Sequence, residues 1–470
     1  MEAERQKGKW YQTSFIEKLD GLRHDPGGDG GTGTAGSEER QTSTALNRER
    51  ALASDLMERV CERDNLNRAY KRVKSNKGAP GVDGMTVEDL YPWLLEHKGE
   101  LVRSLRDGSY KPQPVRGVEI PKPNGGVRQL GIPTVVDRLV QQAIAQVLEG
   151  ILEPTFSESS YGFRPGRSAR DALKAGAKYV AEGRVIVVDM DLEKFFDRVN
   201  HDVLMSRLAR RVGDKRLLRI IRRFLEVGMM KAGVCTERYQ GTPQGGPLSP
   251  LLANVLLDEL DKELEKRGHR LCRYADDFNI YVYSEAAGER VMASITKFLE
   301  KKLRLRVNRE KSKVAYASEV KFLGYRILPG GRLAIALESL KRMKLRVKQI
   351  TRRKRGISLA MMIAELNAYL SGWVTYFRYA EIKNHLQKLD RWIRRKLRCV
   401  RLKQRKRAKP IADFLQSLGV PEWRAWLLAL SGKGWWRMSG SPQAQEAMNN
   451  AWFQEQGLVN LSHRYATLKQ

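Results

Sequence analysis

The sequence predicts an α+β fold followed by a helical, strongly basic C-terminal part. Between about residues 110 and 335, strand and helix signals alternate. Beyond residue 338 the pattern is helical, and residues 341–410 carry 23 Lys+Arg against 3 Asp+Glu, a net +20. Length sets the scale: 470 residues, at roughly 100–200 per domain, make about three domains with ample chain to bury cores.

The elements follow in order. Residues 1–19 contain Trp10, Tyr11 and Phe15 and fit a short helix, while residues 20–44, with Asp25-Pro26-Gly27-Gly28-Asp29-Gly30-Gly31, are too Gly-rich and polar to pack and read as a flexible linker. Folded sequence is expected from Ala45, where a helical pattern leads to Val73, and Gly78–Gly84 punctuates the chain as a loop. Residues 133–153 place Val136, Leu139, Val140, Ala143, Val147 and Ile151 at helical spacing between Pro133 and Pro154. The run Arg184–Leu192 is a buried strand by its β-branched content. Ser249-Pro250 is read as N-cap and N1 of a helix reaching Gly268, and residues 270–283 as two strands, Arg270–Tyr274 and Phe278–Tyr283, joined at Ala275-Asp276-Asp277. Residues 338–354, 358–379 and 381–400 give three helices, with Leu366, Leu370, Trp373 and Phe377 forming a core stripe.

Charge narrows the function classes. With 86 Lys+Arg against 54 Asp+Glu, the chain carries +32. Such an excess repels itself unless a polyanion offsets it, so nucleic acid is the expected partner, ahead of anionic membrane. Cys61, Cys235, Cys272 and Cys399 form no CxxC pair, which argues against a disulfide scaffold or structural zinc and fits a reducing cytosol. There is no apolar run of about 18 residues and no signal-peptide core, so a soluble, internal protein with no membrane partner is expected.

Four segments carry the chemistry. Asp276-Asp277 puts adjacent carboxylates at a tight turn, where they repel unless a cation offsets them, although Asp is also an ordinary turn residue. Val187-Val188-Asp189-Met190-Asp191-Leu192 ends a buried strand in acids, followed by Phe195-Phe196-Asp197. Carboxylates from two strand ends suit a pair of Mg²⁺ ions about 3.5–4 Å apart, because hard cations take oxygen ligands and share phosphate oxygens. Gln240–Pro250 is a Gly/Pro loop opening a helix, able to approach a phosphate closely. Lys122, Arg128 and Arg138 place cations around Asn124-Gly125-Gly126, a hairpin tip.

These segments, with Gly78–Gly84, Arg128–Pro133, Tyr161–Ser168, Asn308–Lys313 and Phe322–Tyr325, resemble the group II intron-encoded reverse transcriptase/maturase family from about residue 50 onward. The resemblance implies a right-hand polymerase: fingers and palm with an antiparallel sheet over residues 45–335, a basic thumb and maturase segment over 336–410, and the Trp-rich C-terminal part of the maturase/DNA-binding region, with no nuclease domain, over 411–470. It implies RNA-directed DNA synthesis with two Mg²⁺ ions, or Mn²⁺ as substitute, and Asp191, Asp276 and Asp277 match the metal ligands. Asp189 rivals Asp191, but Asp191 has Phe196 five positions on, matching the aromatic that packs under the nucleotide sugar and discriminates against a 2′-OH. Gln244 matches a contact to the incoming dNTP, Arg128 and Lys122 the triphosphate-holding cations, and Lys311 the lysine aiding pyrophosphate departure. Arg164 lies in the segment along the template, where it fits a buried structural cation equally well.

Cations from Arg391 to Lys409, among them Arg394, Arg395, Lys396 and Arg398, are expected to line a surface for intron RNA and for an RNA template with its DNA primer. Target DNA and a bacterial cytoplasmic, nucleoid-associated setting follow from the family. Residues 411–470 hold no Cys and only His463, so the chain looks like the endonuclease-lacking class. Among Trp423, Trp426, Trp435, Trp436 and Trp452, many rings are expected in the core, with Gly434-Trp435-Trp436-Arg437 a base-stacking alternative. Two rival functions are a splicing-only RNA-binding maturase and a domesticated reverse transcriptase of repair or defence.

Overall fold

The computed structural model describes residues 55–121, 125–231 and 234–469. The predicted N-terminal helix and linker, Lys122 and Asn124 lie outside them. The chain divides into two compact units, one ending at Tyr316 and one beginning at Ala317.

In the first unit, helices α1 (Leu56–Cys61) and α2 (Arg63–Asn76) are separated by Glu62, whose extended backbone interrupts the long helix expected there. Next come α3 (Leu90–Arg106) and the antiparallel pair β1 (Val115–Pro121) and β2 (Val127–Ile132), in register from Arg116 opposite Ile132 to Pro121 opposite Val127. Helix α4 (Val135–Leu152) starts at Thr134, whose Oγ1 accepts from the Asp137 amide at 3.1 Å. It sets Leu139, Val140, Ala143 and Leu148 into the core. Helix α5 (Ala169–Ala181) opens with a capping box between Ser168 and Asp171.

The elements that follow are β3 (Ile186–Met190), α6 (Phe195–Arg198), α7 (His201–Ala209), α8 (Lys215–Glu226), β4 (Met229–Lys231), β5 (Val234–Thr236), α9 (Ser249–Lys266), β6 (Arg270–Tyr274), β7 (Asp277–Val282), α10 (Glu285–Phe298) and β8 (Lys313–Tyr316). One sheet has the order β2-β1-β4-β5; the other, β6-β7-β3-β8, is antiparallel throughout. Val188, Met190, Phe278 and Ile280 are fully buried in it, and α9 adds Leu256, Leu257 and Leu260 to the same core. Helix α9 begins one residue earlier than the capping pattern predicts. Ser249 is its first helical residue, and its hydroxyl donates to the Pro243 carbonyl at 2.7 Å instead of capping the helix.

The second unit opens with the antiparallel pair β9 (Tyr325–Leu328) and β10 (Arg332–Ile335). That hairpin belongs with the helices rather than with the β6-β7-β3-β8 sheet. Helices α11 (Leu337–Ile350), α12 (Leu359–Tyr376) and α13 (Lys383–Arg405) follow, and Leu366, Leu370, Trp373 and Phe377 are all buried. Short helices α14 (Ala408–Gln416), α15 (Glu422–Ala429), α16 (Trp435–Met438), α17 (Pro442–Ala447), α18 (Asn450–Glu455) and α19 (Leu461–Thr467) complete it. Here one expectation is corrected. Of the five tail tryptophans only Trp452 is buried, whereas Trp423 is 70% exposed and Trp436 38%. A helix of one or two turns buries only one narrow face, and Ala425 and Leu428 take that face of α15.

Candidate functional site

The site is built on the hairpin between β6 and β7. Tyr274 pairs with Asp277, leaving Ala275-Asp276 as a two-residue turn with Ala275 in the left-handed region at φ 60°. Three features hold this turn. Arg273, fully buried, donates to the Ala275 carbonyl at 3.0 Å, to Asn254 Oδ1 at 2.9 Å, to Ser160 Oγ at 2.7 Å and to both Asp261 oxygens. Asn254 reaches in turn to the Gly162 carbonyl at 2.9 Å. Gly162 lies against the turn so closely that a β-carbon there would stand 2.3 Å from the Ala275 nitrogen. Arg273, Asn254 and Gly162 are therefore positioning residues that motif reading missed. The available signal was an arginine inside the apolar run Leu271-Cys272-Arg273-Tyr274, since a buried cation needs an acid and Asp261 lies on the neighbouring helix.

Asp191 follows β3 directly. The β3–β7 ladder runs to Met190 opposite Phe278, so one step further Asp191 comes level with Asp277. The loop after α10 fixes its backbone: its carbonyl accepts from Asn308 N at 2.8 Å and its amide donates to Ser312 Oγ at 3.1 Å. Lys311 Nζ stands 3.6 Å from Asp191 Oδ2. Asp189 has a different environment, because the Asn279 amide, oriented to donate, lies 2.9 Å from its Oδ1. Burial pushes the Asp276 carboxyl above the ordinary range, and the charge of Asp191 pushes the same way against Arg128 and Arg273. Asp276 thus feels the charge of Asp191, and Arg128 reaches Asp276 electrostatically from β2.

Among the described residues no three His, Cys, Asp or Glu side chains close into a metal cage. The donor set nonetheless fits hard divalent cations. Mg²⁺ in phosphoryl-transfer sites is held by one or two carboxylates together with substrate phosphates, not by an all-protein cage. Mutually repelling, half-buried carboxylates with a lysine already drawn to one of them form such a set.

The loop before α9 brings the other predicted residues together. Thr242 N donates to the Phe196 carbonyl and Gly241 N to the Val199 carbonyl, both at 2.7 Å. Gly241, at φ 91°, presses so close that a β-carbon would stand 2.8 Å from the Asp197 carbonyl oxygen. Behind it, buried His201 holds the Gly241 carbonyl at 2.7 Å through Nε2, which must carry the proton because a carbonyl only accepts. Burial lowers the affinity of that ring for a second proton. Gln244 Nε2 is 3.5 Å from Asp197 Oδ1, while the Gln244 carbonyl accepts from Gly131 N on β2 at 2.9 Å. Phe195 is buried and Phe196, edge-on to it with centroids 5.1 Å apart, is half-exposed. One loop therefore ties the strand bearing Arg128 to the turn bearing Phe196.

Other predicted contacts fall differently. Arg164 is 6% exposed, bound to Glu153 Oε1 at 2.9 Å and to the Ser157 and Ser160 carbonyls. Of its two roles, this is the structural one, and Arg164 is withdrawn as a nucleic-acid contact. On α13, Arg391 is exposed, Arg394, Arg395 and Lys396 are half-buried, and Arg398 is buried, donating to the Met448 carbonyl at 2.9 Å above the Phe453 ring. Burial pulls the Arg398 guanidinium down to about 10, with Arg394 and Arg395 acting in the same direction. Arg398 too serves the fold.

Comparison with known proteins decides the family. Residues 120–327 match the reverse transcriptase (RNA-dependent DNA polymerase) family, and residues 340–419 the group II intron maturase-specific domain. Protein YkfC of Escherichia coli (strain K12) is 33% identical over 315 residues, which are 58% of this chain and 82% of that protein. The chain belongs to the group II intron-encoded reverse transcriptase/maturase family. The group II intron-encoded protein LtrA of Lactococcus lactis is 32% identical over 331 residues, 55% of this chain. The matched region spans about half, 54%, of LtrA. Among solved structures, a chain of a partial Cas6-RT-Cas1--Cas2 complex is 26% identical over 53% of this chain and 43% of that one, with a TM-score of 0.35. As a member of this family the chain is an RNA-directed DNA polymerase with a maturase domain. No helix among the described residues is long and apolar enough to cross a membrane.

Proposed function

We propose that this reverse transcriptase copies its own intron RNA into DNA at the β6–β7 turn, assists the splicing of that RNA, and carries it into target DNA by retrohoming. The observation that supports the chemistry best is the mutual charge of Asp191 and Asp276 at adjoining strand ends, with Arg128 and Lys311 beside them. Asp191, Asp276 and Asp277 would hold two Mg²⁺ ions, or Mn²⁺ in their place. When bound, such ions stabilise the alkoxide of a primer 3′-OH and the charge of departing pyrophosphate.

The chain's own residues do the rest. Arg128, with Lys122, holds the triphosphate of a dNTP, and Gln244 meets the same nucleotide. Phe196 closes the floor under the sugar, where a 2′-OH has no room. Lys311 neutralises charge on the leaving group. Arg273 keeps the Ala275-Asp276 turn from relaxing, so the reacting groups meet a fixed geometry instead of reorganising it. Cations of α13, exposed Arg391 foremost with half-buried Arg394, Arg395 and Lys396 around it, take intron RNA and the template–primer backbone. Primer extension on poly(rA)/oligo(dT) with Mg²⁺ tests the polymerase half. Extension by the parent chain and none by the Asp276→Asn variant is the expected result; undiminished extension by that variant would refute the assignment.

A further inference from the structure

The Gly241–Thr242 peptide is pinned at both edges. Its amide, Thr242 N, donates to the Phe196 carbonyl at 2.7 Å, and its carbonyl, the Gly241 oxygen, accepts from His201 Nε2 at 2.7 Å. One residue earlier, Gly241 N donates to the Val199 carbonyl and Gln240 bridges to Asn200. The backbone links would form with almost any side chains, so His201 supplies the one link that depends on residue type. It is needed at a glycine. Gly241 sits at φ 91° and carries no β-carbon, so the peptide that follows it turns over more readily than any other in the loop. Turning it would swing the amide of Thr242 away from Phe196.

The surroundings of His201 leave it little else to do. The ring is 3% exposed and its Nε2 hydrogen is committed to a carbonyl, so it exchanges no proton with a bound substrate. Burial keeps it neutral, with Arg222 on α8 and Arg238 in the loop after β5 acting the same way against Glu226. If the site needed only filling, an apolar side chain would serve, since a buried imidazole costs stability unless it is hydrogen-bonded.

We infer that His201 is a positioning residue that sets how strictly the nucleotide pocket rejects a ribose. By locking the Gly241–Thr242 peptide it holds the Phe196 carbonyl, and with it the half-exposed Phe196 ring, in place, and it starts the loop toward Gln244 from a fixed point. Without that donor the peptide turns over, Thr242 releases Phe196, and the ring tilts away from the sugar to leave room for a 2′-OH. His201 touches no substrate; it acts through residues that do. This role rests on the reading that Phe196 lies under the sugar of the incoming nucleotide.

The test is steady-state addition of one nucleotide to a DNA primer on an RNA template by the full chain with Mg²⁺, comparing kcat/KM for dATP and ATP. His201→Leu, and His201→Asn, whose amide stops short of the carbonyl, should lower the dATP-to-ATP ratio about tenfold, as expected for one buried hydrogen bond. The change should come from better use of ATP and a raised KM for dATP, with kcat for dATP within about threefold of the parent. His201→Gln should bring the ratio back to within about twofold, because the glutamine Nε2 takes the place of the imidazole Nε2. In a Phe196→Ala background, His201→Asn should lower the ratio no further, since its effect passes through that ring. Should His201→Leu fail to fold, the Asn and Gln variants carry the comparison, with folding checked by thermal melting. A merely structural histidine predicts equal losses with both nucleotides and an unmoved ratio in His201→Asn, and that result would overturn the role. So would a His201→Gln variant as indiscriminate as His201→Asn, or a further loss in the double variant. Phe196→Ala separates the two failures: a ratio lost there but kept in His201→Asn removes the role of His201 alone, whereas a ratio kept in Phe196→Ala removes the sugar-floor reading and the role with it.

Discussion

The acid-bound arginines of the first unit and the cations of helix α13 in the second are held in different ways. In the first, arginines are bound to acids: Arg273 to Asp261, Arg164 to Glu153, Arg211 to Asp258, Arg216 to Glu58 and Asp214. In the second, the cations of α13 lie on rings instead: Arg395 and Lys396 on Trp436, Arg398 on Phe453, Arg401 and Arg405 on Phe414. A carboxylate neutralises its partner, whereas an aromatic face orients a cation and leaves its charge intact. Arg273 is thereby committed to holding a turn, and the half-exposed α13 cations Arg395 and Lys396 keep a charge that a polyanion can use.

Substitutions probe this contrast, beginning with the largest effect. Asp276→Asn should cut DNA synthesis about a thousandfold, the several kcal/mol that charge stabilisation at a metal site supplies, while RNA affinity stays within a few-fold. In metal-free buffer its melting temperature should not fall. Burial and Asp191 both disfavour the ionised side chain, so losing that charge relieves the fold. Arg273→Met should destabilise the palm by about 3–5 kcal/mol, read from denaturant unfolding, because Asp261 is left buried and unpaired. Adding Asp261→Asn to that variant should restore part of the loss. If Arg273→Met were silent, the palm half of the comparison would fail.

Smaller effects lie in the other unit. Arg391 is exposed on α13, so Arg391→Ala should weaken binding uniformly across RNA sequences and lower the log–log salt slope by about one, measured by filter binding over a salt series. A change confined to one sequence would mean base reading instead. The smallest effect concerns Asp137, buried beneath Tyr110 and Thr134 and pushed up to about 6 by burial. Its folded-state value exceeds the unfolded one, so the folded state takes the proton more readily. Stability from this group is present below the ordinary carboxylate value and is lost as pH rises toward about 6. Asp137→Asn should flatten that part of the stability–pH curve relative to the parent.

Much of this was legible in the sequence, and the exceptions have physical causes. Period-2 and β-branched patterns located β3, β6 and β7 within a residue or two, because burial on both faces leaves little choice of residue. The turn at Asp276 was visible because two adjacent carboxylates are costly without a reason. Hidden from a linear reading was everything that depends on a distant partner. Arg273 needs Asp261 and Ser160; Arg164 needs Glu153. A tryptophan's burial was equally unreadable in the tail, where short helices have no sustained period and Trp423 and Trp452 look alike until the fold separates them. The lysine at 122 falls outside the described residues, so its role stays with the family resemblance.

The 2.9 Å bond from Gly131 N to the Gln244 carbonyl has a mechanical consequence. Gly245 packs so tightly against the same stretch of β2 that a β-carbon would stand 2.8 Å from the Gly131 oxygen. Arg128 lies three residues along that strand, and the far side of the loop is anchored to the Phe196 carbonyl. Tilting the hairpin therefore drags the loop, and a poorly seated base would push back on the cationic arm. Grip on the phosphates and fit of the base are gears on one shaft, so selection against a wrong nucleotide should register as slow closure rather than weak capture.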